Sequence, residues 1–225
     1  MNNVIVHTGI GKRKENQDII LNEVLYPDTF LYLIVDGMGG YDKGKDAAIL
    51  IANSIFHYLS NSHEINFLKL DEAIKKANLE VKHFNVEHNI KSGGTLAGII
   101  KSNEISYLFW VGDVSIFLFK EKNVIFKSKS HTLINDMVEK QMTISPQIIE
   151  KYKHIVSSSI SGKREIVTKG IYALDNHTYD SFLICSDGVT DTVTPSDFMN
   201  INLEDLNIIL SKNSKDNYSY IFDHK

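Results

Sequence analysis

Two kinds of apolar spacing divide the chain. The opening reads as strand, turn, strand, strand over residues 4–8, 11–18, 19–25 and 30–35. Apolar steps of three and four follow. Across 43–59, Ala47, Leu50, Ile51, Ile55 and Leu59 fall on one face of a helix, and across 70–86 Ala73, Ala77, Val81 and Phe84 do so again. From residue 95 to 127 the pattern shortens into apolar runs at 96–100, 105–111, 116–119 and 124–126, separated by turn-like Ser102-Asn103 and by residues 120–123. A parallel crossover needs a dozen or more residues, so connections this short predict antiparallel pairing. Residues 128–165 are polar, irregular and lysine-rich with one short helix near 146–151, and predict a mobile flap or connection. Strands are expected again at 166–173 and 182–186, a helix at 203–211 and a last strand at 218–222. Strand groups beside two separate helix groups predict an α+β fold of antiparallel sheets packed face to face with helices outside.

No Pro-, Gly- or Ser-rich linker interrupts the 225 residues, and the three prolines are scattered at Pro27, Pro146 and Pro195. One domain over 1–225 is therefore expected, with a flap-like segment at about 131–165. A net charge of -4 offers no general attraction to nucleic acid or an anionic membrane. The opening Met1-Asn2-Asn3 leads into Val4-Ile5-Val6 without a signal or transit pattern, and no apolar run nears the roughly 20 residues of a membrane span. Cys185, the only cysteine, suits a reducing compartment, and the cytoplasm is the expected location.

Chemistry enters through aspartates beside apolar strands. The run 31–35 leads into Asp36-Gly37, the run 108–111 into Gly112-Asp113, and the run 182–186 into Asp187-Gly188, while Asp216-Asn217 opens the final strand. A single Asp-Gly is most simply a turn. Three copies on strongly apolar strands suggest convergence instead. Carboxylates about 4 Å apart repel by about 4 kcal/mol per pair at an effective dielectric near 20, so a gathered set must take up protons or cations. Oxygen-only ligands select magnesium or manganese over zinc.

Arg13-Lys14-Glu15-Asn16-Gln17-Asp18, then Val35-Asp36-Gly37-Met38-Gly39-Gly40 with Gly44 and Ala47, resembles the opening motifs of the type 2C metal-dependent serine/threonine protein phosphatases, in their bacterial form. Ser92-Gly93-Gly94-Thr95-Leu96, Val111-Gly112-Asp113, Cys185-Ser186-Asp187-Gly188 and Asp216-Asn217 resemble later motifs of that family in the same order. The resemblance implies a four-layer α-β-β-α sandwich, two antiparallel sheets flanked by helix pairs. It implies hydrolysis of phosphoserine and phosphothreonine on proteins by a water bridging two divalent cations, Mn2+ or Mg2+. By the same resemblance Asp36 bridges both ions, the Gly37 carbonyl binds the second, and Asp187 and Asp216 complete the first. Asp113 with Asp187 holds a third, weaker ion. Arg13 grips the substrate phosphate, and Asp18 and Asn217 support the site. A phosphorylated protein substrate and an opposing serine/threonine kinase are the implied partners.

Departures from the family pattern are Gln17 for a usual glutamate, Met38 for the histidine of eukaryotic members, Val114-Ser115 after Gly-Asp, and Ser130 before His131. They motivate an alternative, a weak or inactive sensor module on the same fold, although none removes an implied metal ligand. Gly39, Gly44 and Lys45 match a phosphate-loop spacing, but Asp46 replaces the required Ser or Thr. A cysteine-dependent phosphatase needs an arginine six residues after the cysteine. Residue 191 is aspartate, and Arg13 and Arg164 are the only arginines. Cys185, Trp110 and its neighbours Tyr107 and Phe109 are expected in the core.

Overall fold

The structure is a computed structural model and describes residues 4–39 and 43–224; Gly40 of the first Asp-Gly motif and the Met1-Asn2-Asn3 opening lie outside the described residues. In chain order the elements are β1 (Val4–Gly9), β2 (Asp18–Tyr26), β3 (Thr29–Gly39), α1 (Gly44–Ser60), α2 (Phe67–His88), β4 (Ser92–Lys101), β5 (Ile105–Val111), β6 (Ser115–Lys120), β7 (Asn123–Lys127), α3 (Leu133–Glu139), α4 (Pro146–Tyr152), β8 (Gly170–Asp175), β9 (Ser181–Cys185), α5 (Asp187–Thr190), α6 (Asp197–Asn200), α7 (Leu203–Asn213) and β10 (Tyr218–Asp223). The strands form two five-stranded sheets, in the orders β1-β10-β9-β6-β7 and β2-β3-β4-β5-β8. Every pairing is antiparallel, as the short connections require. This removes the parallel setting that a phosphate loop would need at Gly39 and Gly44.

Period-two alternation builds the layers. On β3, Leu31, Leu33 and Val35 face α1 and α2, while Tyr32 and Ile34 face the opposite sheet. On β9, Phe182 and Ile184 point between the sheets, while Leu183 and Cys185 point outward to α5, α6 and α7. The same switch on β4, β5, β6 and β10 gives three apolar layers separated by two sheets, an α-β-β-α sandwich. The helix layers differ. One is the pair α1 and α2 of 17 and 22 residues; the other is α7 of 11 residues with two four-residue helices, α5 and α6. The helix pair expected on that second side is thus one helix with two single turns. Trp110 and Cys185 are core, as predicted.

Segment 128–165 is more ordered in its bonding than its composition suggests. It contains α3, which the apolar pattern did not announce because none of its residues is buried, as well as α4. Its return limb is stitched to α2 and β4. Ile160 and Gly94 exchange two backbone hydrogen bonds of 2.9 Å. Asn78 of α2 accepts from Ser161 N at 3.2 Å and Gly162 N at 2.8 Å, and Asn85, seven residues on and so on the same helix face, donates to Ser161 O at 3.1 Å. Residues 166–169, expected as strand, lie outside β8, which starts at Gly170.

At one pole Lys101 of β4 reaches across to Asp223 of β10 at 2.5 Å, in an ion pair with side-chain exposures of 13% and 3%. Rings of Tyr179 and Phe182 cover the ammonium. This pair ties the two sheets at the end opposite the aspartates discussed next.

Candidate metal centre

The layer between the sheets changes character at one end. Its parity continues from Ile20 to Asp18 on β2, from Ile34 to Asp36 on β3, from Ala97 to Thr95 on β4, from Ile184 to Ser186 after β9, and from Ile221 to Ser219 on β10. Asp18 and Asp36 are direct cross-strand partners, and Thr95 faces Asp36 from the other side. Asp113 sits in the turn after β5 and Asp187 opens α5. The Asp-Gly pairs are therefore not simple turns. β3 runs on through Asp36-Gly37 to Gly39, because Gly93 and Gly94 of β4 continue the pairing opposite it. Gly37 is packed so closely that an added Cβ would lie 2.4 Å from Gly44 O, the first residue of α1. Glycine here lets the start of α1 rest on the strand beside Asp36.

The predicted aspartates come together. The Asp36 carboxyl feels the charges of Asp18, Asp187, Asp113 and Asp216, and burial together with that repulsion raises it well above the usual carboxylate range. Asp18 is pushed up to about 6, first by burial, despite a 2.9 Å hydrogen bond donated by Ser186 Oγ. Asp187 is pushed up to about 7, by burial and then by Asp113 and Asp216. Asp113 is raised as well, chiefly by burial. Two carboxylate oxygens, Asp18 Oδ1 and Asp187 Oδ1, are buried with no hydrogen-bond partner, as is the Thr95 hydroxyl. Among the described residues no three acidic, histidine or cysteine side chains are drawn together tightly enough to make a finished metal cage. The framework gathers the carboxylates closely enough for each to feel its neighbours' charge. An all-oxygen set with orphaned buried anions fits hard divalent cations.

Among the described residues, Arg13 is the one cation paired directly with an aspartate of this cluster. Its guanidinium is paired with Asp216, and that bond, with the fields of Asp187 and Asp36, raises its pKa. It is 59% exposed at the side chain. Arg13 therefore does not stand free, as a phosphate grip would suggest, but is held by one of the implied ligands.

Asn217 explains how Arg13 is placed. Buried between the loops, it accepts from Gln17 N at 2.9 Å and donates to Ile10 O and Glu15 O at 3.0 and 2.9 Å. These three bonds clamp both ends of the segment that carries Arg13. Gly11, at φ +58°, closes the same loop, and a Cβ there would lie 2.0 Å from Asp216 O. Asn217→Ala should lower stability by about 1–3 kcal/mol through the unpaired backbone groups, and should raise KM for a phosphopeptide as the Arg13 loop loosens. Melting curves with KM against kcat would test this, and an unchanged KM would contradict it.

Sequence reasoning missed the hydrogen-bonded layer beneath the aspartates. Asn16 Nδ2 donates to Thr8 Oγ1 at 2.7 Å, Thr8 and Ser219 share a 2.7 Å hydroxyl contact, and Ser186 Oγ accepts from Ser219 N at 2.9 Å before donating to Asp18. The available signal was polar residues at the inter-sheet parity of otherwise apolar strands.

Comparison with known proteins matches the chain to the family model "Protein phosphatase 2C" over residues 9–217. The chain belongs to that family. This 2C-family chain is 27% identical over 229 residues to a candidate protein phosphatase of Mycoplasma pneumoniae, covering 92% of this chain and 87% of that protein. Its fold matches the crystal structure of the serine/threonine phosphatase Stp1 from Staphylococcus aureus, with a TM-score of 0.83, 20% identity and coverage of 100% and 95%. It also matches the catalytic domain of the serine/threonine protein phosphatase PstP in complex with two manganese ions, with a TM-score of 0.80, 20% identity and coverage of 98% and 96%.

The raised carboxyls make a 2C-family prediction in pH. A carboxyl with a folded pKa above its ordinary 3.8 favours the fold below that value and loses the advantage as pH rises through the folded value. Between about pH 4 and 7 the metal-free protein should lose stability, at about 1.4 kcal/mol per pH unit for each group if it titrated alone. Manganese should accordingly raise the melting temperature more at pH 8 than at pH 5. Equal increments at both would count against the cluster's charge.

Proposed function

We propose that this chain hydrolyses phosphoserine and phosphothreonine esters on proteins in a reaction that depends on divalent cations. The reading is carried by one observation: Asp18, Asp36, Asp113, Asp187 and Asp216, drawn from both sheets, share one field and leave two buried carboxylate oxygens without partners. Asp36, the Gly37 carbonyl, Asp187 and Asp216 would hold two Mn2+ or Mg2+ ions, with Asp113 and Asp187 available to a third. When bound, such ions neutralise the carboxylates, polarise the phosphoryl group and make water acidic enough to attack near neutral pH.

The chain's own residues supply the rest. Arg13 binds phosphate oxygens through its guanidinium fork, exchanging its Asp216 partner for the substrate. Asn217 positions the Arg13 loop, and Ser186 orients Asp18 through its hydroxyl. Met38 carries no titratable group, so no side chain at that position donates a proton to the leaving oxygen. Burial keeps Cys185 inert by pushing its thiol up.

Residues 1–225 act as one catalytic domain in this reading, in the cytoplasm and opposite a serine/threonine kinase in signalling. No helix among the described residues is long and apolar enough to cross a membrane. The test is phosphate release from p-nitrophenyl phosphate and a phosphothreonine peptide with manganese. Turnover should vanish in excess chelator and return with the ion. Undiminished turnover in chelator, or calorimetry showing no divalent-ion binding, would overturn the reading.

A further inference from the structure

Beyond Asp36, β3 carries two more residues, Met38 and Gly39, paired with Gly93 and Ser92 of β4. They border a polar cavity of about 430 Å³ whose far wall is the return limb of segment 128–165. Among the described residues, Lys91, Lys163 and Arg164 line it against a single carboxylate, Glu165. Glu165 already has Lys75 at 4.0 Å, whereas no ion pair to Lys91, Lys163 or Arg164 occurs among the described residues. A chain of net charge -4 thus concentrates three cations in one concavity beside its acidic centre.

The wall is built rather than draped. The bonds from Asn78, Asn85 and Gly94 fix residues 160–162, Arg164 Nη2 donates to Ser157 O at 2.7 Å, and Ser158 Oγ donates to Thr168 O at 2.7 Å. Ser157, Ser159 and Ser161 add polar groups to the lining. Arg164 spends one amino group on Ser157, and the rest of its five-donor fork is left for an anion.

Position sets the register. Met38 lies two residues beyond Asp36 on the same strand face, about 7 Å along at roughly 3.3 Å per residue. An extended substrate advances by the same step. We propose that this cavity is a docking subsite for an anionic group about two to four residues from the phosphorylated residue, so that the enzyme selects phosphopeptides with acidic flanks over neutral or basic ones. The proposal rests on the phosphatase reading for the identity of its peptide. The anion's chemistry is shared by a glutamate side chain and a second phosphate.

The test uses the full chain with manganese and fluorescent peptides carrying a non-hydrolysable phosphonate analogue of phosphothreonine, titrated by fluorescence anisotropy. Four peptides differ only three residues on either side of the phosphonate: neutral, glutamate, a second phosphonate, or lysine. At least one anionic peptide should bind about tenfold more tightly than the neutral one, the tighter of the two identifying the source, and the lysine peptide should bind more weakly. Lys91→Gln with Lys163→Gln should bring the anionic-to-neutral ratio close to one. Both lysines are exposed, and a thermal melt checks that the variant is folded. Equal affinity for neutral and anionic peptides, or a ratio untouched by the double substitution, overturns the subsite. Turnover of p-nitrophenyl phosphate by the unsubstituted chain is measured alongside. If that is absent while the anionic preference persists, the reaction reading fails and the subsite stands.

Discussion

Asp187→Asn should abolish metal-dependent turnover and, in the same protein, make the metal-free form more stable at pH 8. Both effects come from one carboxylate. Asp187 Oδ1 is buried without a partner, and the group is pushed up to about 7 by burial and by its acidic neighbours. At pH 8 it is therefore held ionised against its surroundings. Relative to an ordinary value of 3.8, that costs about 4 kcal/mol at about 1.4 kcal/mol per pH unit, an upper bound because the neighbouring carboxyls share the same protons. Asparagine keeps the shape and removes the charge. In chelator the variant should melt above the parent at pH 8, with the gap shrinking as pH falls and closing below about pH 4, where Asp187 is protonated in the folded and unfolded states alike. With manganese the loss of activity should exceed the tenfold to hundredfold expected from losing a supporting partner. A variant that keeps turnover, or one that gains nothing in chelator at pH 8, would separate Asp187 from the cation site.

At the opposite pole, Lys101→Met should cost about 3–5 kcal/mol, because Asp223 stays buried without its counter-charge. For a chain of this size that corresponds to a fall in melting temperature of roughly 6–20 °C. Adding Asp223→Leu should recover most of the loss, since well-packed apolar pairs replace buried ion pairs at little cost. The kcat of the folded single variant should match the parent, as the pair lies far from the aspartates. Thermal melts of the single and double variants decide the matter. A single variant that melts with the parent would show that Asp223 finds water or another partner.

The same physics decides how much of the molecule was legible in its sequence. Long apolar periodicities placed α1, α2 and nearly every strand, and short connections gave their antiparallel pairing. Elements without a buried stripe were illegible apart from α4, which was expected near 146–151 although it too buries none of its residues. Helix α3 buries none of its residues, and α5 and α6 are single turns of four residues, too short to show a period. The strand ends were misjudged where glycines carried pairing onward, so that Asp36 lies inside β3 rather than at its tip. The aspartates themselves were readable because each follows or opens an apolar run. The Thr8, Ser186 and Ser219 hydroxyls beneath them were not, because a lone serine or threonine in a strand gives no hint of what it faces. Nor could the sequence show that Arg13 spends its charge on Asp216, or that Asn217 holds the loop bearing it, since each pair lies some two hundred residues apart.

That separation has a consequence for how the protein is made. β10 is inserted between β1 and β9, and its leading Asn217 fastens the loop that carries Arg13. A nascent polypeptide emerging from the ribosome thus lacks both the strand that joins β1 to β9 and the anchor of its arginine until residues 217–223 appear. A product cut short before residue 216 lacks both Asp216 and the Asn217 clamp, and should therefore be inert rather than unregulated.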